Sequence, residues 1–159
     1  MMRVGIFSDS HGDRRALDEL LEKMGHIDAG CFLGDIASDA AYLREKLAEM
    51  PHQPILYAVR GNNDLASMLP DNMLIELGGH KIWMEHGHLF PSLMTLAYRA
   101  KDNGADIALF GHTHEPLCEY AYGVLLLNPG SAGNYCRGGR ARADVLIIDG
   151  DKLRVEDIE

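Results

Sequence analysis

The sequence predicts an α/β protein with a largely parallel first sheet and a second, mixed or antiparallel sheet. Three observations predict it. Apolar runs alternate with helix-periodic segments over the first 60 residues. Short strand-like runs separated by turn residues fill most of the second half. A polar, often glycine-containing cluster follows one apolar run after another.

The elements follow in order. Residues 3–8 (RVGIFS) read as a short buried strand. Residues 13–24 place Ala16, Leu17, Leu20, Leu21 and Met24 at helical spacing. Residues 29–33 (AGCFL) give a second strand. Residues 38–50 give a second helix, with Ser38 as N-cap and Pro51 past its end. Residues 54–59 (PILYAV) give a third strand. A strand–helix–strand–helix–strand order implies right-handed crossovers and parallel pairing. Beyond it, 73–77 and 81–85 flank Gly78-Gly79-His80, a hairpin signal. Residues 92–102 read as a helix and 106–110 as a strand. Strands at 117–121, 124–128, 143–149 and 152–158 complete the chain, the last two joined by Asp149-Gly150-Asp151. These later strands are expected to build the second sheet. No linker or repeat interrupts the 159 residues, so one domain over 1–159 is expected, burying about 70% of its unfolded surface.

Charge and cysteine content narrow the function. The formal net charge is -9, which argues against nonspecific nucleic-acid binding, since that needs a basic surface. It leaves room for a phosphate substrate where bound cations reverse the local field. Cys31, Cys118 and Cys136 are odd in number and lack C-x-x-C spacing, so neither a disulfide framework nor a zinc knuckle is expected. Cys31 reads as a core residue. No signal peptide is expected, no apolar run approaches about 20 residues, and a cytoplasmic protein is the expectation.

The polar clusters carry the chemistry. Asp9-Ser10-His11, Gly34-Asp35 and Gly61-Asn62-Asn63-Asp64 follow the first three strands. In an open α/β sheet those ends line one crevice. His86-Gly87-His88, Gly111-His112-Thr113-His114 and Asn128-Pro129-Gly130-Ser131 follow later strands. Asp gives hard oxygen donors and His borderline nitrogen donors, a mixture suited to Mn, Zn or Fe. Seven such donors exceed one tetrahedral ion and suit two ions sharing a carboxylate. His26, His52 and His80 lie outside the clusters and read as exposed or turn residues.

The ordered set Asp9-x-His11, Gly34-Asp35, Gly61-Asn62-x-Asp64, His86-Gly87-His88 and Gly111-His112-x-His114 resembles the signature of the calcineurin-like metallophosphoesterases. With Asn128-Pro129-Gly130-Ser131 it is similar to their small YfcE-type phosphodiesterases. The resemblance implies a four-layer αββα sandwich over nearly the whole chain. It assigns Asp9, His11 and His114 to one divalent ion, Asn62, His86 and His112 to a second, and Asp35 to both. Manganese is the first expectation for the pair, with Ni, Zn, Fe or Mg as alternatives. The implied reaction is hydrolysis of a small phosphodiester by a hydroxide bridging the ions. A phosphomonoesterase, a phosphoprotein phosphatase and a protein-binding scaffold of the same fold stay open as alternatives.

One departure bears on rate. Many members have His after the ligand Asn, where this chain has Asn63, which cannot act as a general acid. Esters with good leaving groups, such as aryl phosphodiesters, are therefore the expected substrates. Asn63 keeps a hydrogen-bonding role toward phosphate. Asp64 is expected to orient a neighbour, Asp13 to cap the first helix, and His88 and Arg137 to contact substrate. The oligomeric state stays open, a homo-oligomer included.

Overall fold

A computed structural model describes residues 1–133 and 139–159. The expected elements form, most within one or two residues of the expected bounds. They are β1 (Met2–Phe7), α1 (Arg14–Met24), β2 (Ala29–Phe32), α2 (Ala37–Glu49), β3 (Ile55–Ala58), β4 (Asn72–Leu77) and β5 (His80–Glu85). Then come α3 (Leu93–Asp102), β6 (Ile107–Leu109), β7 (Leu117–Ala121), β8 (Val124–Asn128), β9 (Ala143–Asp149) and β10 (Lys152–Ile158). They build two mixed five-stranded sheets, ordered β10-β9-β1-β2-β3 and β4-β5-β6-β8-β7. β1, β2 and β3 are parallel.

Period-2 alternation assigns the faces. Val4 and Ile6 of β1 point between the sheets, where they meet Met84, Ile107, Leu109 and Leu127. Phe7 points outward with Phe32, against Leu17 and Leu20 of α1 and Leu43 and Leu47 of α2. On the far side, Leu96, Ala97 and Ala100 of α3 cover Trp83, Ala108 and Leu126. The layers are helix, sheet, sheet, helix, as the resemblance implied. Leu43 and Leu47 are fully buried, so truncating either to Ala costs about 2–5 kcal/mol.

Three expectations are corrected. β9 and β10 do not extend the second sheet. β9 pairs antiparallel with β1, Gly5 opposite Val145, and β10 adds outside it. The free edge of β1 accounts for this: β9 is buried on both faces over Ala143–Ile148 and needs a neighbour on each edge. Ser38 is not the α2 cap. The helix begins at Ala37, whose N–H donates to Asp64 Oδ1 at 2.8 Å, so a side chain from the β3–β4 connection caps it from outside. His80 is neither exposed nor in the turn. It is buried at the start of β5, between Asp106 and the Gly150 carbonyl. Asp13 does cap α1, accepting from the Ala16 N–H.

Candidate metal centre

Six strand ends converge. β1, β2 and β3 deliver Asp9, Asp35 and Asn62 from the first sheet. β5, β6 and β8 deliver His86, His112 and Asn128 from the second. Backbone bonds seam the loops: Asp9 N–H to Gly34 O at 2.7 Å, and Gly111 N–H to His86 O at 2.8 Å. Two glycines allow the approach. A Cβ on Gly61 would lie 1.9 Å from Asp35 Oδ1, and one on Gly111 would lie 1.9 Å from Ser8 Oγ.

The Asp-x-His and His-x-His pairs share an unusual backbone. Asp9, His11, His112 and His114 have φ of 53°, 49°, 67° and 61°. Side chains rarely adopt this left-handed region outside glycine, though Asp, Asn and His do so more readily than most. The doubled turn aims both residues of each pair to one side of their loop.

The side chains form two contiguous groups. Asp9, His11 and His114 form the first, with His114 Nε2 at 3.2 Å from both Asp9 Oδ1 and His11 Nε2. Asp9, Asp35 and His86 form the second, with His86 Nε2 at 3.7 Å from Asp9 Oδ1 and from Asp35 Oδ2. Asn62 Oδ1 joins it at 3.0 Å from His86 Nε2 and 3.1 Å from His112 Nδ1. All seven expected donors therefore meet in one cluster. The carboxylate common to both groups is Asp9, while Asp35, which the resemblance assigns to both ions, lies in the second group.

The donor chemistry fits a divalent cation. His86 Nδ1 lies 2.7 Å from the Leu33 carbonyl, which can only accept, so Nδ1 carries the proton. In the neutral ring Nε2 is then a lone pair, facing two carboxylate oxygens and an amide oxygen. Asp9 Oδ1 is buried with no hydrogen-bond partner among the described residues. A buried carboxylate oxygen without a donor is costly unless a cation faces it. Burial, and after it the charge of His86, holds His112 below the usual histidine range, which favours a neutral ring able to donate a lone pair.

Other residues hold these donors in place, and two of them, Asp39 and Glu85, were not legible in the sequence. Asp39, in the first turn of α2, is buried and accepts from Ser10 Oγ at 2.6 Å and Gly12 N–H at 2.8 Å, gripping the Asp9–Gly12 loop. Ser131 Oγ donates to the Asp9 carbonyl at 2.8 Å. Asn128 Nδ2 donates to Gly111 O and Thr113 Oγ1, both at 3.0 Å. The Asn128-Pro129-Gly130-Ser131 cluster thus braces both left-handed loops. Buried Glu85, one residue before His86, accepts from Arg99 of α3 and from Trp83 Nε1. Asp64 accepts from Gly61 N–H as well as Ala37 N–H.

The remaining expected residues separate. His88 lies beside the cluster, 5.5 Å ring to ring from His86. Burial first, then His86 and His112, hold it below the usual range, and its Nδ1 has no partner among the described residues. Asn63 donates its side-chain amide to Asp35 Oδ2 at 2.6 Å. Arg137 lies outside the described residues. Cys31 is buried and its thiol is pushed up to about 12 by burial, consistent with core packing.

Comparison with known proteins agrees with this geometry. Residues 2–152 match the calcineurin-like phosphoesterase superfamily domain. The phosphodiesterase YfcE of Escherichia coli K12 is 30% identical over 179 residues, covering 98% of this chain and 91% of that one. Vacuolar protein sorting-associated protein 29 of Schizosaccharomyces pombe is 34% identical over 139 residues, covering 82% and 72%. The crystal structure of a conserved uncharacterized protein from Streptococcus pneumoniae TIGR4, predicted to be a phosphoesterase, superposes with a TM-score of 0.77. It is 30% identical, with 98% and 88% of the two chains covered.

Proposed function

We propose that this chain, which belongs to the calcineurin-like phosphoesterase superfamily of metal-dependent phosphoric ester hydrolases, hydrolyses a small phosphodiester using two divalent ions. The observation that carries the reading is Asp9 Oδ1, a buried and unpartnered carboxylate oxygen within 4 Å of three histidine nitrogens. Asp9, His11 and His114 would hold one ion. Asn62, His86 and His112 would hold the other, with Asp35 joining the two, and manganese is the proposed metal. When bound, such ions neutralise charge on a phosphoryl group and lower the pKa of water.

The chain's own residues do the rest. The Leu33 carbonyl fixes the His86 tautomer, leaving Nε2 free to coordinate. The second amide hydrogen of Asn63 can donate to a phosphate oxygen. It cannot release a proton, so the leaving alkoxide departs unassisted and aryl esters are favoured. His88 stands close enough to the cluster to contact the ester, and Arg137 is proposed as a further phosphate contact. We propose that residues 1–159 act as one cytoplasmic domain on a small substrate, without coating nucleic acid. No helix among the described residues is long and apolar enough to cross a membrane.

The relation to vacuolar protein sorting-associated protein 29 supports a second reading, a protein-binding scaffold. Against it, every donor position is filled by a residue able to ligate. Chelator-stripped protein, assayed on bis-p-nitrophenyl and p-nitrophenyl phosphate with Mn, Ni, Zn or Mg restored, decides. Diester turnover that returns with metal and is lost in Asp35→Ala is expected. Monoester preference favours a phosphatase, and two bound ions without turnover favour the scaffold.

A further inference from the structure

Asp35 is 2% exposed and reaches the cluster through Oδ2, 3.7 Å from His86 Nε2. Its carboxylate plane is held from another strand's loop. Among the described residues, both hydrogen bonds to the carboxylate come from Asn63: the backbone N–H to Oδ1 at 3.1 Å and the side-chain Nδ2 to Oδ2 at 2.6 Å. Gly61 also crowds the carboxylate, since a Cβ there would overlap Oδ1. The carboxylate therefore meets both a bare backbone and a two-point clamp.

The halves of the clamp are not equivalent. The backbone bond survives almost any substitution at 63. The side-chain bond needs a donor three bonds beyond Cα, and a charge-assisted contact of this kind is about twice as strong as a neutral one. Without it the carboxylate turns about a broad sp³–sp² torsion, and Oδ2 swings away from His86.

We infer that Asn63 is a positioning residue whose side-chain amide orients Asp35 toward the metal donors. The inference rests on the two-ion reading above. It assigns to Asn63 a task separate from leaving-group chemistry: the first amide hydrogen organises the metal site, and only the second remains for substrate.

The test is calorimetric titration of the chelator-stripped protein with Mn²⁺, alongside thermal melting of the stripped protein. Asn63→Ala should weaken at least one Mn²⁺ site by about ten-fold or more. The Tm of the stripped protein should fall by only about 3–6 °C, the cost of one charge-assisted hydrogen bond, because the exposed Asn63 side chain contributes little packing besides. Asn63→Leu keeps the branched heavy-atom skeleton, removes the donor and should give the same loss, so either variant suffices if the other folds poorly. Two affinities within two-fold of wild type in a folded variant would overturn the inference. Wild-type protein that takes up fewer than two Mn²⁺ would instead sink the two-ion reading on which it rests.

Discussion

Replacing Asp144 with Asn should stabilise the protein above neutral pH and leave it almost unchanged near pH 4. Asp144 lies on β9 and points between the sheets with Leu146 and Ile148. It is 2% exposed, and its Oδ1 has no partner among the described residues. Directly across the β9–β10 ladder stands Asp157, paired with Arg142 at 2.6 Å. Burial first, and the Asp157 charge second, push the Asp144 carboxyl from 3.8 up to about 7. The folded state thus holds a proton that the unfolded chain releases near 3.8. Stability is greatest below that value and falls as pH rises through the window, by about 1.4 kcal/mol per pH unit. The loss levels off above about 7, for a total on the order of 2–4 kcal/mol. In Asp144→Asn the amide donates to Asp157 as the protonated carboxyl does, and nothing titrates. Wild type and variant, both chelated, should therefore melt together at pH 4 and separate by about 5–10 °C at pH 8. Melting curves that stay parallel across the range would refute the buried-neutral account of Asp144.

Arg99→Met strands the buried Glu85 carboxylate and should cost about 3 kcal/mol, seen as a lower urea midpoint with an unchanged slope. Gly111→Ala drives a Cβ into Ser8 Oγ and to 2.7 Å from Asp9 Oδ2; metal-restored diester turnover should drop about a hundred-fold, measured as kcat/KM. Asp39→Ala frees the Asp9–Gly12 loop and should weaken metal uptake about ten-fold or more, read by the same Mn²⁺ titration. The Gly150 carbonyl and, after the opposing effect of burial, Asp106 raise the His80 pKa above 6.5. Its contribution is then complete below pH 6.5 and fades as pH rises through the raised value. Denaturation of wild type and His80→Gln at pH 5.5 and 9 should show the gap narrowing.

What the sequence made legible follows from what its patterns encode. β7 through β10 fall on their expected residues because short alternating or continuous apolar runs bounded by turn residues leave little freedom. Partnering is different. The run Ala143–Asp149 says that the strand is buried on both faces, but not that β1 offers the edge it joins. The seven donors were legible because each follows an apolar run, and the fold brings strand ends together. Their supports were not. Asp39 looks like any acidic residue in a first helical turn, and only the fold shows Ser10 and Gly12 above it. Asn63 was read as a substrate contact from its place in the chain, and only the fold shows the amide hydrogen it gives to Asp35 as well.

The left-handed residues explain why these supports are needed. Asp9, His11, His112 and His114 each hold a conformation that costs about 1 kcal/mol, so the two loops together store roughly 4 kcal/mol of backbone strain. The clustered lone pairs and the lone Asp9 oxygen add an electrostatic penalty in the metal-free protein. Relaxing either loop would relieve both. What opposes relaxation is a set of hydrogen bonds from other elements: Asp39 to Ser10 and Gly12, Ser131 to the Asp9 carbonyl, Asn128 to Gly111 and Thr113, and the His112 N–H to Asp9 Oδ2. At about 1 kcal/mol each for neutral pairs and more for charged ones, they match or exceed the strain. The donors can therefore stay in place without metal, and an arriving cation finds them arranged. Metal at 100 times its Kd adds about 2.7 kcal/mol per site in any case; the preformed loops act on the Kd itself, which then carries no cost of ordering them. A chelated protein whose two loops exchanged amide hydrogens as fast as free peptide would show that the cation, and not the hydrogen bonds, builds the site.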